Sequence, residues 1–192
     1  MQKTRCPWCG NEPLYVNYHD NEWGVPIHDE LQHFEFLVLE TMQAGLSWYT
    51  VLKKRENFRR AFDNFDPQKV AMYNEQKVDL LMQDAGIIRN KLKIRATINN
   101  AARFLEVQKK WGSFDTFIWS FVNNRPIVNY WQTMLHVPAS TQLSDTISKE
   151  LKQLGFRFVG TTIIYAHMQA IGMVNDHLTN CFRHAELWDG AF

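Results

Sequence analysis

Two groups of side chains in this 192-residue chain have the types and spacing to do chemistry. The first is split between the ends: Cys6 and His19 near the start, His177 and Cys181 near the finish. Thiolate sulfur and imidazole nitrogen in a two-plus-two set suit zinc, which takes such donors in tetrahedral geometry. With four protein ligands no position is open to water, so the ion is structural. The i, i+4 spacing of His177 and Cys181 predicts both on one face of a helical turn. Joining residues so far apart removes loop-closure entropy, and the binding free energy of the ion adds to that of folding. Cys9, in Cys6-Pro7-Trp8-Cys9, and His184, close to Cys181, keep the ligand set open. A catalytic zinc around His19, Asp20 and Glu22 is a competing arrangement, and it requires an open coordination position.

The second group is a carboxylate among aromatics. Glu40 ends the run His33-Phe34-Glu35-Phe36-Leu37-Val38-Leu39-Glu40, and helical geometry places Phe36 and Ala44 above and below it. An ionised carboxylate facing an apolar interior is costly unless paired or hydrogen-bonded. Trp8, Tyr15, Tyr18, Trp23 and Trp48 are candidates for one aromatic pocket around it. Such a pocket suits a cationic purine swung out of a duplex, because aromatic faces attract the charge as well as stacking on the base. The carboxylate can accept hydrogen bonds from the base edge and favour the charged species. A cationic purine is already a good leaving group, so the site must mainly extrude the base, hold it and admit water to the sugar carbon. A reader of alkylated bases that flips without cutting would use the same pocket.

Two turns could meet a duplex. Gln43-Ala44-Gly45-Leu46-Ser47-Trp48 offers the apolar Leu46 on a glycine turn, a candidate wedge for the gap left by an extruded base. In Leu81-Met82-Gln83-Asp84-Ala85-Gly86-Ile87-Ile88-Arg89 the glycine breaks two helical patterns, and the backbone N–H groups that follow could hold a phosphate without reading sequence. The formal charge of +1 gives no global attraction for a polyanion, so any contact must come from local clusters. Lys53, Lys54, Arg55, Arg59 and Arg60 form one; Arg89, Lys91, Lys93 and Arg95 form another.

The elements that must position these residues read as all-α. The length allows one compact domain, here 1–192 as two lobes around shared helices, and 45% hydrophobic with 21% charged residues is ordinary for a globular chain. Residues 1–30, rich in proline, glycine and aromatics, read as an irregular arm. A helix runs from about Asp29 to Gly45, and a second from an N-cap at Ser47 to Phe62. Asp66-Pro67 starts another. A pair of helices near 78–105 is joined through Gly86, with further helices over Phe114–Asn123, Ser144–Leu154 and Thr161–Gly172. Strand alternation is absent. The start lacks the apolar core of a signal peptide, and no apolar run is long enough for a bilayer, which leads to an expectation of a cytoplasmic protein without membrane partners. Three cysteines in a reducing compartment argue against a disulfide framework and leave metal binding or plain free thiols.

Together these segments resemble the bacterial 3-methyladenine DNA glycosylase I family, a branch of the helix-hairpin-helix glycosylases, over almost the full chain. The resemblance is carried by Glu12 to Tyr15, Tyr18 to Pro26, Gln43 to Trp48, Val51 to Asn57, Asp84 to Arg89, Trp119 to Asn123, Phe158 to Thr162 and Val174 to His177. It implies an α-helical body with the base pocket between lobes, and a structural zinc on Cys6, His19, His177 and Cys181. It implies Glu40 as the base-binding and catalytic carboxylate, with Tyr15, Tyr18, Trp23 and Trp48 as pocket aromatics and Trp8 beside them. The Gly45-Leu46 turn falls at the family's intercalating position, and the hairpin spans Gly86, Ile87, Ile88 and Arg89. The implied activity is monofunctional removal of 3-methyladenine from alkylated double-stranded DNA by a monomer, leaving an abasic site. Cys9 departs from the family pattern.

Overall fold

The computed structural model describes residues 3–188 and is built from helices around one buried helix. That helix, α2 (Glu30–Gln43), starts at Asp29, whose side chain accepts from the N–H of Gln32 at 2.9 Å. Every residue from His33 to Met42 is buried, so α2 is enclosed on all sides and not merely along one stripe. Its neighbours are α3 (Trp48–Leu52), α7 (Lys91–Trp111), α8 (Phe114–Ser120) and α10 (Thr161–Ala170). Outside these lie α4 (Arg55–Ala61), α5 (Pro67–Ala71), α6 (Glu75–Gln83), α9 (Gln142–Gln153) and α11 (Phe182–Trp188).

Several expectations change in the structure. The N-terminal arm is not irregular throughout: a short 3-10 turn (Pro7–Cys9) precedes α1 (Pro13–Asn21). Both begin on proline, whose missing N–H is no loss in a first helical turn. The helix expected from Ser47 to Phe62 is two helices, broken at Lys53 and Lys54. The break lets Lys54 Nζ donate to the carbonyls of Ala85 and Gly86 at 3.0 and 3.2 Å and points Arg55 inward to Glu22 and Glu35. α9 starts earlier than Ser144 because Thr141 and Ser144 form a capping box, with Ser144 at the third helical position. A two-stranded parallel pair, β1 (Ile127–Val128) and β2 (Val174–Asn175), interrupts the all-α pattern. Strands this short carry no alternation to read. Among the described residues no helix is long and apolar enough to cross a membrane.

The arm is strapped onto the end of α10. Gly24 N–H donates to Gln169 O at 3.0 Å, and Ile27 N–H donates to Ile171 O at 3.1 Å. Gly172, at φ 74°, makes this approach possible: a Cβ there would stand 2.6 Å from the carbonyl oxygen of Val25 and closer still to the Val25–Pro26 peptide bond. Both the left-handed backbone and the contact exclude a side chain. Gly172→Ala is expected to cost about 3 kcal/mol in urea denaturation; an unchanged midpoint would show that the arm is not held this way.

Candidate active site and metal centre

Glu40 is 3% exposed and lines a cavity of about 270 Å³. The walls include all five aromatics singled out in the sequence, Trp8, Tyr15, Tyr18, Trp23 and Trp48. Trp8 joins them at the arm, with ring centroids 5.0 Å from Tyr15, 6.3 Å from Tyr18 and 4.9 Å from Trp23. Tyr18 and Trp48 lie 5.2 Å apart. Among the described residues, three buried polar atoms in these walls have no hydrogen-bond partner: Glu40 Oε2 and the indole nitrogens of Trp8 and Trp48. Buried polar atoms are normally satisfied, so a group of orphans around one cavity points to a ligand.

Glu35, on the same helix, shows what a buried structural carboxylate looks like here. It accepts from Arg55 Nε at 2.5 Å and Arg59 Nε at 3.0 Å. Glu40 has no such cation among the described residues, and burial raises its pKa from 4.5 to about 8. A titratable group strongly shifted by desolvation inside a cleft is a functional-site signature.

Sequence reasoning missed the cavity's far wall: Met134, Val137 and Pro138 from the loop before α9, and Ala166 and Gln169 from α10. No local pattern marks them, because their role depends on long-range packing. It also missed Asp176, 1% exposed, which gathers that wall. One of its oxygens accepts from Asn129 Nδ2 and Trp131 Nε1, each at 2.7 Å. The other accepts from Tyr165 OH at 2.6 Å and Gln169 Nε2 at 2.7 Å.

Next to the pocket the donor atoms of Cys6, His19, His177 and Cys181 lie within 4.8 Å of one another, all buried. His177 Nδ1 is 3.6 Å from Cys6 Sγ and 3.5 Å from Cys181 Sγ, while His19 Nε2 is 3.4 Å from Cys181 Sγ. The other ring nitrogens are engaged: His19 Nδ1 with Asp20 at 2.8 Å, and His177 Nε2 with the Trp23 carbonyl at 3.0 Å. Such outer partners orient metal-binding imidazoles. The neighbouring Cys6 thiol, as hydrogen-bond partner, holds the Cys181 thiol well below its ordinary pKa.

The alternative ligands lie elsewhere. Cys9 Sγ donates to its own turn at Cys6 O, 3.2 Å away, and His184 Nε2 donates to Asn129 O at 2.8 Å. Asp20 is bound by Arg5 and Glu22 by Arg55, which removes both from the competing catalytic-zinc arrangement. His177 and Cys181 do not share a helical turn: His177 is in irregular chain after β2, and Cys181 precedes α11.

Of the two candidate duplex-facing turns, the Gly45-Leu46 turn borders the site. Gly45 has φ 80°, and Leu46 beyond it is 43% exposed on a second cavity shared with Glu40 and Gln43. Between α6 and α7, the Asp84 side chain accepts from Gly86 N–H at 2.7 Å. Gly86 is not in the left-handed region; a Cβ there would lie 2.9 Å from Asp84 Oδ1 and 3.1 Å from the Asn57 amide, so those side chains would have to shift. Ile87 buries its side chain, so only its backbone remains for a ligand. Among the described residues the N–H groups of Ile88 and Arg89 have no hydrogen-bond partner.

Known proteins match this arrangement closely. The family model for methyladenine glycosylase matches residues 8–184. DNA-3-methyladenine glycosylase 1 of Escherichia coli (strain K12) is 54% identical over 177 residues, covering 92% of this chain and 95% of that protein. A crystal structure of a 3-methyladenine DNA glycosylase I superposes with a TM-score of 0.91 at 51% identity, covering 93% of this chain and 98% of the other. Another, a variant in complex with 3-methyladenine, gives 0.90 at 36% identity, covering 93% and 96%. The class is thereby defined as a helical DNA glycosylase. Within that class, the chain belongs to the methyladenine glycosylase family.

The desolvated Glu40 has a consequence for stability. Its folded-state pKa lies above the unfolded value, so stability is fully present below about pH 4.5 and is lost as pH rises through about 8. Glu40→Gln carries no ionisable group and escapes that loss. The variant is expected to become more stable than the parent by a few kcal/mol at pH 8 and to approach it near pH 5. Denaturation curves that stay parallel over this range would mean that Glu40 is paired in solution.

Proposed function

We propose that the chain hydrolyses the N-glycosidic bond of 3-methyladenine in alkylated double-stranded DNA. The observation that carries this reading is the unpaired, buried Glu40 carboxyl in an aromatic cavity of about 270 Å³. A neutral base would leave its ionisation as costly as before. A cationic base beside it returns the Glu40 pKa toward its ordinary range, so the site favours alkylated over normal adenine. Trp8, Tyr15, Tyr18, Trp23 and Trp48 supply aromatic faces that attract the charge.

In the proposed reaction the bond between the sugar carbon and the purine nitrogen breaks, and its electron pair leaves with the base, which becomes neutral. Water attacks the sugar carbon and gives up a proton to solvent, leaving an abasic site. Glu40 acts by binding the departing base and stabilising the positive charge that develops between base and sugar. No lysine lines the cavity among the described residues, which fits release of the base without cleavage of the strand. Leu46 on the Gly45 turn is the proposed wedge in the helical gap, and the backbone of Gly86 to Arg89 is the proposed phosphate grip. The pocket opens between two lobes of a single helix-hairpin-helix domain.

The buried Cys2His2 group is proposed to hold one structural zinc. Tetrahedral zinc with bonds of ordinary length sets sulfur and nitrogen ligands about 3.6 Å apart; three of the sulfur–nitrogen separations are 3.4–3.6 Å, and all four donors lie within 4.8 Å of one another. When bound, zinc would supply folding free energy and no open position for catalysis. Cys6, His19, His177 and Cys181 would hold it, with Asp20 and the Trp23 carbonyl orienting the two imidazoles.

Incubation with methylated duplex DNA is expected to release free 3-methyladenine, with strands intact until the abasic sites are treated with alkali. If the base stays in the DNA, the reading fails. Glu40→Gln is expected to slow single-turnover release about 100-fold. Cys181→Ser should lower zinc content and thermal stability together, while Cys9→Ser leaves zinc stoichiometric. Stoichiometric zinc in the Cys181 variant would refute the ligand set.

A further inference from the structure

Lys93 is the basic residue beside the hairpin that turns inward. It stands in the first turn of α7, after the Asn90 cap, and is 5% exposed. Its Nζ donates to Met42 O at 2.8 Å and to Ala44 O at 2.6 Å. Those carbonyls end α2, where helical geometry leaves acceptors without an internal partner. A cation also complements the negative end of the helix dipole. No carboxylate among the described residues pairs with Lys93, and burial lowers its pKa. Closing a helix end with a buried, unpaired cation is expensive, since an amide or hydroxyl donor could satisfy carbonyls at lower desolvation cost.

The place of the contact gives that cost a purpose. The α2 terminus carries Gln43 of the pocket wall, follows Glu40 by one turn and leads into the Gly45-Leu46 turn. The hairpin before Lys93 is fixed on its other side, where Lys54 Nζ and Asn57 Nδ2 donate to carbonyls at Ala85 and Gly86. The structure assigns Lys93 as a positioning residue that sets the Gln43–Leu46 turn in register with the hairpin. Seating of the hairpin on a phosphate then places Leu46 at the gap and Glu40 at the extruded base. This rests on the proposed roles of those two segments.

The test separates three abilities of one variant. Lys93→Met keeps the length and apolar stem and removes the ammonium. Its single-turnover release from methylated duplex is expected to fall about 30-fold. Its affinities for free 3-methyladenine, which reads the pocket, and for undamaged duplex, which reads the hairpin, should stay within about threefold of the parent. Fluorescence of 2-aminopurine placed next to the lesion should show less extrusion. Lys93→Gln, which retains a neutral amide N–H donor group, should recover part of the release rate. Unchanged release overturns the assignment. So does a parallel loss of all three abilities with thermal stability, or failure of both variants to fold, since either result gives Lys93 a general structural role. If the parent itself releases no 3-methyladenine, the proposed function has failed rather than the role of Lys93.

Discussion

A carboxylate removed from water must recover its lost solvation from neighbours, or stay protonated and wait for a partner. α2 contains both solutions. Glu35 takes the first, held by Arg55 and Arg59. Glu40 takes the second, with one oxygen unpaired and its pKa raised to about 8. This deficit can exist because Glu40 is 3% exposed on a helix packed among α3, α7, α8 and α10. In the proposed function the charge of the damaged base closes the deficit. Binding energy then goes to the feature that distinguishes alkylated from normal adenine.

The cavity around Glu40 is assembled from segments far apart in sequence, so its shape depends on how the chain ends are closed. Trp8 lies just after Cys6, and the Trp23 carbonyl is hydrogen-bonded to His177, so the Cys2His2 group adjoins two pocket walls. Asp176, next to His177, holds Gln169 of the opposite wall and Trp131 at the root of the loop bearing Met134 and Val137. The β1–β2 pairing ties the same two stretches by backbone. A structural ion at this point would set both walls while remaining outside the cavity that holds the base.

The parts of this arrangement that could be read from sequence were those with local chemical signatures. The helix starts at Asp29, Ser47 and Asp66 were legible because a short polar side chain before an apolar period satisfies free N–H groups. The Cys2His2 set and the five aromatics were legible by residue type, and the family motifs sharpened the reading of both. What was not legible depended on packing. Nothing local marks Lys53-Lys54 as a break, since lysine is a good helix former; the break serves distant contacts at the hairpin and at Glu35. Pro13 reads as a loop residue until the helix it begins is seen. Met134, Val137 and Gln169 have no pattern that assigns them to a pocket.

The basic clusters are by sequence only candidate contacts for a polyanion, and in the structure most of these cations are engaged within the chain. Lys54 and Lys93 hold backbone carbonyls, Arg55 and Arg59 hold Glu35, and Lys91 and Arg95 hold Asp79 and Glu75. Arg89 remains beside the hairpin N–H groups. With a formal charge of +1, such a protein has little long-range attraction for undamaged duplex. Under the proposed function this is consistent with selectivity: phosphate contact supplies a weak, sequence-independent hold, and the larger gain comes only when a cationic base enters the cavity. Discrimination then resides in the charge balance at Glu40, while the internal lysines keep the hairpin and the end of α2 in fixed relation.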